Sequence, residues 1–133
     1  MDQAIEGRND GQSPRWQCVL ICWGTRYATA LINNLIKRIA AHVRTQPLYV
    51  LITDSLKPDL LASVRQVQFP EYWLQPDFLR GGCQAKLAMF ERGVLDETLP
   101  AVYVDLDTVV FGDLVRVLDL MSPPIPLQCC RAP

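Results

Sequence analysis

The sequence predicts an α/β fold, a largely parallel sheet with flanking helices. Three observations carry that expectation. Short, nearly continuous apolar runs at residues 16–23, 47–54 and 101–107 read as strands buried on both faces. Segments with helical apolar spacing lie between the first two runs and before the third. Strand and helix therefore alternate, as in βαβ units.

Each element follows in order. The start, MDQAIEGRNDGQSP (1–14), is polar and rich in Gly, Asp and Asn, and reads as a disordered leader. WQCVLICW is the first strand, broken by Gly24 and Thr25. In RYATALINNLIKRIAAHV, Leu31, Ile32, Leu35, Ile36, Ile39 and Val43 recur on one helical face. Asn33, Asn34, Lys37, Arg38 and Arg44 fall largely opposite, with His42 near the polar boundary. PLYVLITD is a second buried-type strand ending on Asp54. SLKPDLLAS reads as a loop or short helix, and VRQVQFP alternates like a short strand. EYWLQPDFLRGG is loop-like, with Pro76 and the Gly81-Gly82 pair. CQAKLAMFERGVL has helical spacing, with Leu87, Phe90 and Val94 on one face. AVYVDLD is the third strong strand. The Pro-rich end, MSPPIPLQCCRAP, reads as a tail. Residues 15–122 thus form one domain, followed by a tail over 123–133.

Composition narrows the function classes. At 133 residues and 50% hydrophobic, the chain can bury a core without staples. A formal net charge of −1 supplies no basic field, which disfavours nucleic acid as a partner. The N-terminus lacks the basic start and apolar core of a signal peptide. No apolar run reaches the roughly 18 residues of a membrane span, so a cytoplasmic location is expected. The cysteines Cys18, Cys22, Cys83, Cys129 and Cys130 contain no CxxC pair, and His42 is the sole histidine. A zinc site is therefore poorly supported.

Candidate chemistry gathers at strand ends, where open parallel sheets bind ligands. Asp105 and Asp107 are two apart, so an extended segment would project both carboxylates to one face while Leu106 turns into the core. Such a pair suits a hard divalent cation, magnesium or manganese, shared with substrate phosphates. The alternative is a pair of loop acids ending a strand. Neither GxGxxG nor GxxxxGK[ST] is present, so dinucleotide and P-loop readings fall. Thr25 contacts a nucleotide or caps the following helix. Asp54 bonds a base or ribose, or starts a turn with Ser55. Lys86 reaches a diphosphate or is simply solvated.

The segment VYVDLDTVVFGDL resembles the "YLDxDxxVxxDL" stretch of retaining, nucleotide-sugar-dependent glycosyltransferases of the GT-A fold. The likeness is to their glycogenin-like and lipopolysaccharide-glucosyltransferase group. CWGTRYATALINNL looks like that family's first strand and helix, and GGCQAKLAMFE like its helix bearing a donor-contacting lysine. The resemblance spans roughly residues 19–120. It implies the Rossmann-like nucleotide-binding half of a GT-A fold. It also implies transfer of a sugar from a nucleotide diphosphate sugar, a uridine diphosphate sugar foremost, to a hydroxyl acceptor. By the same resemblance, Asp105 contacts donor and metal, and Asp107 ligates the metal. Thr25, Tyr27, Asp54 and Lys86 line the donor. Family members continue past this point with an acceptor-binding half and a further metal ligand, usually a histidine. The resemblance is therefore to their amino-terminal portion only.

Two rivals stand beside it. A non-catalytic remnant or interaction module would keep the fold without the reaction. A haloacid dehalogenase-like phosphatase would use DxDx(T/V) on Asp105, Asp107 and Val109, with Asp105 as nucleophile and Asp107 as acid/base. That family's motif lies near the start of its domain, with a lysine and further acids after it. No lysine or acid follows Leu120 here.

Overall fold

The computed structural model describes residues 13–80 and 84–121. The expected leader (Ser13 and Pro14 apart), the Gly81-Gly82 pair, Cys83 and the tail with Cys129-Cys130 lie outside them. The fold is α/β, with a four-stranded sheet in the order β3-β2-β1-β4, every pair parallel. The strands are β1 (Gln17–Cys22), β2 (Leu48–Thr53), β3 (Val64–Gln68) and β4 (Ala101–Tyr103). The long helix α1 covers Thr29–His42. Two short helices, α2 (Pro76–Leu79) and α3 (Val115–Asp119), and 3-10 segments at Glu71–Leu74 and Gln84–Phe90 complete the described elements. No described helix is long and apolar enough to cross a membrane.

Strand alternation splits the interior into two layers. Cys18, Leu20 and Cys22 of β1 face Ile32, Leu35, Ile36 and Ile39 of α1. Val19 and Ile21 face the other way, onto Phe69, Ala85, Ala88 and Val94. All six residues of β1 are buried, as its unbroken apolar run implied.

Three helical expectations are corrected. Leu31 is 42% exposed, because the core stripe of α1 runs through Ile32, Leu35, Ile36 and Ile39, one step round the helix. Thr25 does not cap α1, which starts at Thr29 with Ala28 as its N-cap and no side-chain cap. The segment bearing Lys86 is a 3-10 helix that packs its alanines. Ala85 and Ala88 are fully buried while Leu87 and Phe90 point outward. With 3.0 residues per turn, positions three apart eclipse, and small residues let the backbone approach the sheet closely.

The third strand is also shorter than expected. β4 ends at Tyr103, and Val104 makes the last ladder bond, its N–H donating to the Val19 carbonyl at 3.0 Å. β4 is the edge strand among the described residues, so no described strand on its outer side holds the chain extended. The buried side chains of Leu106, Val110 and Val115 instead fold the following segment onto the α1 side of the sheet.

Candidate functional site

The order β3-β2-β1-β4 reverses direction at β1. The first crossovers step one way to β2 and β3, and the chain then returns to the far side of β1 as β4. Ligands in open α/β sheets bind beyond the carboxyl ends of the strands at such a reversal. The candidate residues fall into two groups there.

The first group joins β1 to β2. Gly24 has φ +69°, a left-handed conformation suited to glycine, and its N–H donates to Asp54 Oδ2 at 3.0 Å. The other carboxylate oxygen, Asp54 Oδ1, is buried without a hydrogen-bond partner among the described residues. Thr53, not Asp54, shapes the turn after β2, its hydroxyl donating to the Ser55 carbonyl at 2.9 Å. Thr25 is exposed in the turn after Gly24. Tyr27 is half-buried against the α1-side core, with the Arg26 guanidinium 5.4 Å from its ring centre.

The second group stands at the end of β4. Lys86 Nζ lies 3.2 Å from Asp105 Oδ1 and 3.3 Å from Oδ2, and the Tyr103 hydroxyl donates to Oδ1 at 3.0 Å. The ammonium also sits 5.5 Å from the centre of the Tyr103 ring. Burial works against the Lys86 ammonium, but Tyr103 and Asp105 beside it outweigh burial and hold its pKa above the ordinary value. Burial likewise opposes the Asp105 carboxylate, yet Lys86 and Tyr103 outweigh it and hold its pKa below the usual range. Both shifts keep the pair ionised at neutral pH.

Asp105 and Asp107 do not extend along one strand face. The Thr108 N–H donates to the Asp105 carbonyl at 3.0 Å, closing a turn with Leu106 and Asp107 at its centre. The alternation rule that placed both carboxylates on one side therefore does not apply. Leu106 does turn into the core, at 4% exposure. Asp107 is exposed, with no hydrogen bond or ion pair among the described residues. Asp113, which closes the motif, is structural. Its Oδ1 accepts the Val115 N–H at 2.9 Å to open α3, and Arg44 from the end of α1 pairs with it.

Among the described residues no group of three or more His, Cys, Asp or Glu side chains could hold a metal ion. His42 is exposed at the end of α1. The first carboxylates that follow β4 are those of Asp105 and Asp107, both hard oxygen donors. That set fits a magnesium or manganese ion only if a ligand's own oxygens complete its shell.

Two groups escaped the sequence reading. Tyr103 is two residues before Asp105, and i, i+2 spacing at a strand end was the available signal. The backbone N–H of Gly24 carried no side-chain signal at all. A cavity of about 450 Å³ lies beside β4, lined by Gln17, Val19, Met89, Phe90, Leu95 and Tyr103 among others. It meets the acid cluster only at Tyr103.

No protein-family model matches the chain, and no curated protein or solved structure matches it either.

Proposed function

We propose that this chain is the donor-binding half of a metal-dependent glycosyltransferase of the GT-A type. It would hold a nucleotide diphosphate sugar, a uridine diphosphate sugar foremost, for transfer of the sugar to a hydroxyl acceptor. The observation that carries the reading is the Lys86–Asp105–Tyr103 cluster at the carboxyl end of β4, beside the reversal of strand order. The resemblance of VYVDLDTVVFGDL to the family's acid motif supports it.

In this reading Asp105 and Asp107 would hold the divalent ion, which neutralises charge on the departing diphosphate. Lys86 supplies a second positive charge near the same diphosphate as a point-charge donor. Tyr103 orients the Asp105 carboxylate by its hydroxyl bond. Asp54, anchored by the Gly24 N–H through one oxygen, would fix the β1–β2 edge beside the nucleoside.

Titration calorimetry with uridine diphosphate, with and without manganese, tests the proposal. Metal-dependent binding that is lost in Asp107→Ala is the expected result. Binding indifferent to manganese, or unchanged in Asp107→Ala, would sink the donor-site reading and leave a non-catalytic module.

A further inference from the structure

We infer that Lys86 is an internal latch on Asp105, so that the site takes up its divalent cation and its diphosphate together rather than the cation alone. The inference rests on the donor-site reading and concerns how that site is regulated.

Both oxygens of the Asp105 carboxylate are engaged. Oδ1 meets Lys86 Nζ at 3.2 Å and the Tyr103 hydroxyl at 3.0 Å, and Oδ2 meets the same ammonium at 3.3 Å. The Lys86 side chain is only 21% exposed, so the ammonium is held against the carboxylate rather than roaming in solvent. A divalent ion binding Asp105 must approach the place where a positive charge already sits. Repulsion between the two cations opposes it, and Asp107 alone is left as a ligand.

Charge balance shows what releases the latch. Lys86, Asp105 and Asp107 together carry a net charge of one negative, too little to hold a bare dication well. A nucleoside diphosphate brings further negative charge and several acceptor oxygens. Lys86 can then turn to the phosphates, whose charge is denser than one carboxylate, and Asp105 is freed for the metal. Each ligand thereby raises the affinity for the other, and linkage makes the effect reciprocal.

Manganese binding read by the electron paramagnetic resonance of the free ion tests this without any activity assay. Lys86→Met should bind bare manganese about tenfold more tightly than the unaltered chain, a coupling of ordinary size. Lys37→Met, which removes the same charge at an exposed position of α1 away from the site residues, should match the unaltered chain. Calorimetry with uridine diphosphate should show manganese strengthening nucleotide binding much less in Lys86→Met than in the unaltered chain. Bare-metal affinity unchanged or weakened in Lys86→Met, with manganese-dependent nucleotide binding intact in the unaltered chain, overturns the latch alone. Loss of that dependence in the unaltered chain overturns the donor site and the latch with it.

Discussion

Gln17 opens β1 and is 1% exposed, yet its amide tethers a loop far away in sequence. Its Nε2 donates to the carbonyls of Asp96 at 2.7 Å and Leu99 at 3.0 Å, just ahead of β4. Carbonyls only accept, so the amide nitrogen must face them and Oε1 must face away, where it is buried without a partner among the described residues. Replacing Gln17 with leucine keeps the bulk and removes both bonds. Two half-buried carbonyls then lack donors, at about 1–1.5 kcal/mol each because water can partly reach them. Removing the unpartnered Oε1 returns roughly 1 kcal/mol. The net loss is about 1–2 kcal/mol, or about 4–8 °C in Tm for a domain of this size. Gln17→Glu should be worse, because it aims a carboxylate oxygen at two carbonyl oxygens. Thermal and urea unfolding followed by circular dichroism measure both variants. An unchanged midpoint in Gln17→Leu, or a milder loss in Gln17→Glu, refutes the assigned role of the amide.

Other outcomes follow from the same geometry. Asp105→Asn should cost at most about 1 kcal/mol of stability, because the Asp105 side chain is 50% exposed and its ion pair is screened by solvent. It should nonetheless lower metal-dependent nucleotide affinity, so a stability loss without a binding loss would mark the pair as structural. Ile36→Ala, in the middle of the α1 stripe, should lose about 2–5 kcal/mol in urea unfolding. Burial pushes the Cys18 thiol up to about 12 from 9.0, so the folded chain keeps a proton that the unfolded chain gives up. Stability should be insensitive to this thiol below pH 9 and fall as pH rises from 9 towards 12. Rapid alkylation of Cys18 at neutral pH would contradict its burial. Gly24→Ala should lose roughly 1 kcal/mol from the left-handed φ alone, since the added Cβ meets nothing within 4 Å.

How much was legible depended on what decides each element. β1 and β2 were readable because unbroken apolar runs have little alternative to burial on both faces, and α1 because its stripe is long. The Gln84–Phe90 segment misled because Leu87 and Phe90 are the greasier residues, while close packing on the sheet selected Ala85 and Ala88. Steric fit, not hydropathy, made that choice, and spacing carries no record of it. The end of β4 was misplaced for another reason. Extended backbone is imposed by ladder partners, and an edge strand has them on one side only. The motif's acids were visible, but whether they share a strand face depended on where pairing stops. Lys86 was singled out, while its contact with Asp105 across 19 residues rests on packing that no local pattern encodes.

The site consequently has two unequal halves. Asp54 directly follows β2, which is paired on both sides by β1 and β3, and it accepts the Gly24 N–H. That half is set by the interior of the sheet. Asp105 follows a three-residue edge strand and sits in a turn, so its place depends on Lys86, Tyr103 and the Gln17 tether. In the donor-site reading this asymmetry has a use. A nucleoside needs a fixed surface, because its recognition is by shape and a few directed hydrogen bonds. A metal–diphosphate complex needs carboxylates that can shift as charge moves, and the weakly paired end of β4 provides them. In that reading, the short strand that made Asp105 hard to place from sequence is also what would let its carboxylate change partners.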